Sequence, residues 1–149
     1  MTNTEVFQPQ FTKIAENIPG SEGPVFDKEG RFFMVAPERT KDGQFAGDIL
    51  QINLNDGKPS VHCAPFVDGE GGIPAGCQCD KDNNLWVADM RLGILKIQPD
   101  GSFQQLCKTD SDGRVMQGCN DCIYDYSGTL WVTAPAGDIA PAPFRRSMG

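Results

Sequence analysis

The chain repeats one short pattern, DKEGRFFMVA (residues 27–36), as DKDNNLWVAD (80–89) and again as DYSGTLWVTA (125–134). Each copy starts with aspartate, has Gly or Asn three residues later, skips one residue and continues with apolar residues. The first part favours a tight turn, because Gly and Asn adopt positive φ at little cost. The apolar part is typical of a buried strand. The three aspartates, 53 and 45 residues apart, therefore mark a repeating β unit.

Further turn signals lie around these three copies, at Asn55-Asp56-Gly57 and at Pro99-Asp100-Gly101. Together with the repeats they predict five hairpins, over 23–37, 47–63, 77–90, 92–107 and 119–135. Four strands per unit, at a period of about 40–50 residues, are the signature of a β-propeller blade. We therefore predict an all-β fold of the six-bladed β-propeller type, with about two and a half blades in this chain.

The predicted organisation is a single incomplete propeller domain over residues 1–149, with no helix. The segment 11–18 alternates apolar and polar residues, which predicts a strand on the outside of the domain. The glycine-rich stretch 68–72 is interpreted as a loop between blades. The predicted parts are an outer strand at 11–18, blade 1 at 20–63, blade 2 at 70–108 and a partial blade 3 at 116–149.

The composition narrows the functional classes. With 39% hydrophobic and 22% charged residues the chain is expected to fold. A net charge of -7 disfavours nucleic acid and anionic membranes as partners. No apolar stretch approaches the length of a membrane span, and the first ten residues do not resemble a signal peptide. We expect a cytoplasmic protein that acts on a small molecule and keeps its six cysteines reduced.

The repeat also aligns three positions that lie five residues before each aspartate. They are occupied by Glu22, Ala75 and Asn120. In a radially repeated fold, corresponding positions face the same axis, so the carboxylate of Glu22 and the amide of Asn120 can converge on one cation. Carboxylate and amide oxygens are ligands that Ca²⁺ prefers.

A closed propeller has about four to eight blades, more than this chain contains. Two and a half blades would leave unpaired strand edges, which promote association. The sequence therefore predicts that the chain is part of a longer protein, or that its open propeller edges pair in self-association.

Five motifs carry a resemblance to a known family: GSEGPVFD (20–27), GGIPAGCQCD (71–80), VADMRLG (87–93), MQGCNDC (116–122) and LWVTAPAG (130–137). In these motifs the chain resembles the squid-type diisopropyl fluorophosphatases and, more distantly, the regucalcin and gluconolactonase family. The similarity extends from about Phe11 to Met148. It implies a six-bladed propeller of roughly twice this length, with a catalytic Ca²⁺ in its central tunnel and a structural Ca²⁺ deeper inside.

The resemblance implies roles for individual residues. Glu22 and Asn120 would be two ligands of the catalytic calcium, and Asp121 would be a carboxylate beside that site. The other protein ligands of the family come from later blades. Four residues match positions that line the family's substrate pocket: Ile73, Met90, Arg146 and Met148.

The function implied by the resemblance is a calcium-dependent hydrolase that cleaves the P–F bond of organophosphorus triesters. A sugar-lactone hydrolase on the same metal site is the alternative, and the apolar pocket residues favour the fluorophosphate. A third hypothesis is a non-catalytic, truncated product, since half of the propeller would be missing.

Other residues allow competing interpretations. Cys77, Cys79, Cys119 and Cys122 have a spacing that can form a four-sulfur zinc site, although cysteines in strands more often pack as small apolar side chains. His62 is the single histidine, and we expect it at a surface or an edge strand. The two tryptophans, at equivalent repeat positions, are predicted to lie in the core.

Overall fold

The computed structural model of the protein describes residues 8–135, which form strands and turns without a helix. Two four-stranded antiparallel sheets are followed by a two-stranded hairpin. Within this range there is accordingly no helix that could cross a membrane. The strands are β1 (Glu22–Phe26), β2 (Phe32–Ala36), β3 (Thr40–Lys41), β4 (Gln44–Phe45), β5 (Asp48–Ile52), β6 (Pro59–Cys63), β7 (Phe66–Val67), β8 (Glu70–Gly71), β9 (Pro74–Cys79), β10 (Leu85–Asp89), β11 (Gly93–Ile97), β12 (Phe103–Cys107), β13 (Asp121–Tyr124) and β14 (Leu130–Thr133).

The long strands follow the order predicted from the repeat. The first sheet has the order β1-β2-β5-β6, the second β9-β10-β11-β12, and β13 pairs with β14. Every neighbouring pair is antiparallel, and each of the five predicted hairpins is present. The all-β class and the four-stranded units are thus confirmed.

The repeated aspartate closes the turn that joins the first two strands of each unit. In the second unit, Asp80 Oδ1 accepts hydrogen bonds from the backbone N–H of Asp82 at 2.8 Å and of Asn84 at 2.9 Å. Asn83, between them, has a φ of +63°, the left-handed conformation that the pattern predicted for Gly or Asn. Asp27 and Asp125 accept the same two backbone bonds in their own turns.

The apolar faces of the two large sheets pack on each other. Successive residues of β2 point to opposite sides of the first sheet, as in any β-strand. Phe33 and Val35 join a core shared with the second sheet, whereas Phe32 and Ala36 pack on the other face. A third cluster, which includes Cys119 and Cys122, joins the second sheet to the β13–β14 hairpin. The sheets are therefore stacked side by side, as propeller blades are.

The predicted outer strand at 11–18 is wrong. Among residues 8–135 this segment pairs with no strand, and the φ of Asn17 is +63°, which interrupts an extended chain. It is instead an irregular cover on the first sheet, where Ala15 and Ile18 pack against the cluster around Phe32. The two buried residues, Ala15 and Ile18, are three positions apart, so the segment lacks the period of two that a paired strand shows.

Two short hairpins, β3–β4 and β7–β8, were not predicted. Each of their strands has two residues, too few to show a periodic pattern. The stretch 68–72, interpreted as a loop, contributes β8. Arg91 connects both hairpins, because its Nη1 donates to the carbonyl oxygens of Phe45 at 2.9 Å and Gly71 at 2.8 Å.

The prediction that both tryptophans lie in the core is wrong for Trp131, whereas Trp86 packs against the cluster that includes Cys119. Trp131 is 62% exposed, and Trp86 is half-buried. Each indole N–H donates to the aspartate that starts its own repeat, with 2.9 Å from Trp86 Nε1 to Asp80 Oδ2 and 2.9 Å from Trp131 Nε1 to Asp125 Oδ2. The tryptophans therefore stabilise the turns, because an indole has a polar N–H that needs an acceptor.

Candidate functional site

The first strands of the three units, β1, β9 and β13, lie next to one another. Strand β9 contacts β1 on one side and β13 on the other. In the two four-stranded sheets these first strands are edge strands, so their meeting line is where the sheets converge. Glu22 begins β1, Ala75 lies in β9 between the two others, and Asn120 directly precedes β13.

Glycines allow these strands to approach closely. A methyl group on Gly23 would come within 2.3 Å of the carbonyl oxygen of Ala75. One on Gly76 would come within 2.4 Å of Asp121 Oδ1. The backbone N–H of Gly76 also donates to the carbonyl oxygen of Asn120 at 2.6 Å. The residue after each aligned position is thus Gly in the first two units, and in the third it is Asp121, whose carboxylate lies over Gly76.

Glu22 and Asp121 form a pair of carboxylates that influence each other. Burial raises the pKa of Glu22, and the negative charge of Asp121 raises it further. Within residues 8–135 no lysine or arginine forms an ion pair with either group. Two carboxylates at one place without a counter-ion create a local potential that favours a cation.

Strand β14 holds the third-unit residues in place. The backbone N–H of Asn120 donates to the carbonyl oxygen of Thr133 at 2.9 Å, and that of Asp121 donates to Thr133 Oγ1 at 3.0 Å. Asp121 Oδ1 accepts the backbone N–H of Cys122 at 2.8 Å. Asn120 is half-buried and Asp121 exposed. The side-chain amide of Asn120 therefore extends from a backbone that is fixed on both sides.

Glu22 and Asn120 offer the type of ligand atom that calcium prefers, but too few of them for a complete site. Glu22 and Asn120 supply two or three oxygens, whereas Ca²⁺ takes six to eight. In the part of the chain that the structure describes, no cluster of three or more His, Cys, Asp or Glu could hold a metal by itself. A complete calcium site needs further oxygens from outside residues 8–135.

Two of the predicted pocket residues are neighbours. The backbone N–H of Met90 donates to the carbonyl oxygen of Ile73 at 2.9 Å, and both residues are half-buried. The carbonyl oxygen of Met90 accepts the N–H of Gly118 at 3.1 Å, which connects it to the segment that leads to Asn120. The two other predicted pocket residues, Arg146 and Met148, lie outside the described residues.

Asp89, a fully buried carboxylate beside this pair, was not predicted from the sequence. The alignment of the repeats contains a signal for it. Nine residues after the starting aspartates are Ala36, Asp89 and Ala134. The second unit therefore differs from the others at two aligned positions. It has Ala75 where the first and third units have Glu22 and Asn120, and it has the carboxylate of Asp89 where they have alanine.

The cysteines do not form a zinc site in the described residues, which include all six. All six are free thiols. Cys77 and Cys79 pack on the core between the large sheets, as the packing interpretation predicted, and burial raises the pKa of Cys77 well above its usual value. His62 lies in the edge strand β6 with its ring 4.9 Å from that of Phe33, in agreement with the prediction.

The blades of this chain are antiparallel sheets stacked side by side, and their first strands meet at polar and glycine residues. This arrangement defines the β-propeller class. A solved structure of a gluconolactonase from Xanthomonas campestris superposes with a TM-score of 0.65 and 20% identity, over 82% of this chain and 37% of that chain. This likeness concerns the fold alone.

Comparison with curated proteins gives the family. The chain is 62% identical to the diisopropyl-fluorophosphatase of the squid Loligo vulgaris over 144 residues, which are 96% of this chain and 46% of that protein. It is 30% identical to a gluconolactonase of Zymomonas mobilis over 127 residues, or 82% of this chain and 35% of that protein. No protein-family model matches. The chain belongs to the diisopropyl-fluorophosphatase and gluconolactonase-like family, and it spans less than half the length of these relatives.

Proposed function

We propose that the chain supplies the Glu22 and Asn120 part of a calcium site in a hydrolase that cleaves the P–F bond of organophosphorus triesters. Glu22, Asn120 and Asp121 lie at the first strands on either side of β9, and the charge of Asp121 acts on Glu22. This supports the metal site, since the two carboxylates lack a basic partner among residues 8–135. The 62% identity to a diisopropyl-fluorophosphatase supports the reaction.

Each residue has a distinct task in this proposal. Glu22 and Asn120 present oxygen ligands, and Asp121 adds negative charge beside them. A bound Ca²⁺ supplies Lewis-acid polarisation of a phosphoryl oxygen. Ile73 and Met90 form an apolar wall that orients alkyl groups of the substrate and excludes water from them. The remaining oxygen ligands come from outside the described residues.

The test uses a chimera in which residues 1–149 replace the matching part of the squid relative. Release of fluoride from diisopropyl fluorophosphate is measured with calcium and with a chelator. We expect activity that the chelator removes, and that falls at least about 100-fold in Glu22→Gln. Glu16→Gln, a change of an exposed carboxylate, is the matched control. Activity that survives the chelator, or that Glu22→Gln leaves unchanged, contradicts the proposal.

A sugar-lactone hydrolase on the same residues is the second candidate, favoured by the 30% identity to the gluconolactonase of Zymomonas mobilis. Both reactions polarise an oxygen, so the same metal site serves either. The chimera distinguishes them by its kcat/KM for gluconolactone and for the fluorophosphate. A higher value for the lactone would reverse the order of the candidates.

A non-catalytic role for the 149-residue chain alone is the third candidate, because Glu22 and Asn120 supply at most three oxygens. Calorimetric titration with Ca²⁺ tests it, and micromolar binding by the chain would contradict it. The exposed side chains of Ile123 (61%) and Trp131 (62%) on the two-stranded sheet support self-association through its open edge, which sedimentation velocity would detect. Six free thiols support a cytoplasmic location.

A further inference from the structure

Asp89 is the last residue of β10 and has no solvent exposure. A buried carboxylate is costly unless it is hydrogen-bonded, so its partners indicate what it does. In the first unit the corresponding position is Ala36, which is equally buried. The fold therefore does not require a polar group at this position in a blade.

The carboxylate of Asp89 lies between two backbone segments, bonded to one and packed against the other. Its Oδ1 accepts the N–H of Arg91 at 2.9 Å and of Leu92 at 2.8 Å, within the turn that follows β10. The other oxygen, Oδ2, is buried against the segment before β9 and accepts no hydrogen bond from residues 8–135. A methyl group on Gly72 would come within 2.5 Å of Asp89 Oδ2, so this glycine makes room for the carboxylate.

Other bonds connect the same two segments. Arg91 Nη1 donates to the carbonyl oxygen of Gly71 at 2.8 Å, and the N–H of Met90 donates to that of Ile73 at 2.9 Å. Strand pairing is irregular here, with a register shift between Val87 and Asp89. Regular ladder bonds are thus replaced by side-chain bonds at the point where the chain presents Ile73 and Met90.

We propose that Asp89 is a positioning residue, which fixes the segments that carry Ile73 and Met90 and thereby sets the shape of the apolar wall. The position of the two segments is a property of this chain alone. The identity of the ligand that contacts the wall, an alkyl group of an organophosphorus substrate, rests on the proposed function.

Hydrogen exchange of backbone amides in the 149-residue chain tests the positioning. The informative amides are those of Met90 and Gly118, because neither donates to Asp89 directly. In Asp89→Ala we expect both to exchange at least about tenfold faster, while the core amides of Val87 and Leu95 change much less. In Asp89→Asn, which retains the Oδ1 acceptor, we expect protection to return.

Asp27→Ala is the matched control, because Asp27 is a buried aspartate that closes a turn in the first blade. Its carboxylate bonds to Glu29 and Arg31, and the turn that it closes contacts the second blade at Asn83, in the turn before β10. The substitution therefore lowers global stability from a place away from Ile73 and Met90. If Met90 and Gly118 exchange as fast in Asp27→Ala as in Asp89→Ala at equal global stability, the effect is not local and the proposal is wrong. Unchanged exchange in Asp89→Ala also overturns it.

The chimera adds a kinetic test. Asp89→Ala is expected to raise KM for diisopropyl fluorophosphate about fivefold or more with little change in kcat, because a displaced wall weakens binding of substrate and transition state alike. A fall in kcat at unchanged KM contradicts the assigned role. A wild-type chimera that releases no fluoride refutes the proposed function, whereas amide exchange still decides the role of Asp89.

Discussion

The carboxylate of Asp121 lies directly over Gly76, so that a methyl group at residue 76 would be 2.4 Å from its Oδ1 and 2.6 Å from its Cα. The same glycine donates its N–H to the carbonyl oxygen of Asn120 at 2.6 Å. Contact between the second and third units at the candidate site therefore depends on the absence of a side chain at residue 76.

Gly76→Ala is expected to destabilise the chain by about 2–4 kcal/mol, because the added methyl group meets backbone atoms that cannot move independently. Gly30→Ala is the control, since its φ is +78° but no atom lies within 4 Å of the added group. Its cost should be about 1 kcal/mol, from backbone strain alone. Chemical denaturation measures both, and equal costs would show that the close contact is unimportant.

Glu22→Gln is expected to raise the Tm of the calcium-free chain at pH 7 by at most about 3 °C. Burial and the charge of Asp121 raise the pKa of Glu22 above 4.5, so the folded state binds its proton more tightly than the unfolded state. Below pH 4.5 Glu22 is protonated in both states and the ionisation has no cost. The cost appears as the pH rises through the raised pKa. The gain in Tm should therefore vanish at low pH, and a gain that persists there would have another cause.

Calcium is expected to stabilise the chain weakly, because Glu22 and Asn120 form only part of a coordination shell. With a Kd on the order of 1 mM, about 10 mM CaCl₂ would add about 1.4 kcal/mol. Thermal denaturation with calcium, with magnesium and with a chelator measures this effect. Glu22→Gln and Asn120→Ala should each remove most of it. Equal stabilisation of either variant would place the bound ion elsewhere on the acidic surface.

The sequence predicts those parts of the structure that are encoded by a repeated pattern of several residues, and not those that depend on a single side chain or a short segment. The aspartate repeat determines its own turn through backbone bonds and positive φ, so the hairpins could be located from single residues such as Asp80 and Asn83. Alignment of the repeats also identified Glu22 and Asn120 as equivalent positions, and they lie at β1 and just before β13, the strands on either side of β9. The segment 11–18 was misassigned because its apolar residues suggest a strand pattern, although the buried ones, Ala15 and Ile18, are three positions apart. Asp89 was missed because its partners are backbone groups, which leave no pattern in the sequence.

Asp80→Ala is expected to cost about 2–3 kcal/mol at pH 7, since the carboxylate accepts bonds from two backbone N–H groups, from Asn84 Nδ2 and from Trp86 Nε1. Burial acts to raise the pKa of Asp80, but the bonds from Trp86 and Asn84 lower it to about 2. Its stabilisation is thus present above pH 3.8 and is lost as the pH falls towards 2.

The acid limb of unfolding between these pH values should be flatter in Asp80→Ala than in the wild type. Asp82→Ala is the control in the same turn, because within residues 8–135 the Asp82 side chain pairs with exposed Lys81 alone. An acid limb that is equally steep in Asp80→Ala would contradict the role of Asp80.

Of the native cysteines, exposed Cys107 is expected to react with iodoacetamide first, and the buried cysteines, such as Cys77 and Cys119, much more slowly. Cys107 is exposed, whereas Cys77 is buried and burial raises its pKa well above the usual value, which suppresses the reactive thiolate. Burial also raises the pKa of Cys119 to about 11, so it should react slowly. Mass spectrometry after timed labelling gives the order, and Cys107→Ser should remove only the fast step. If Cys77, Cys79, Cys119 and Cys122 were instead all protected from labelling, and all became reactive when a zinc chelator was added, they would form a four-sulfur zinc site. The packing interpretation would then be wrong.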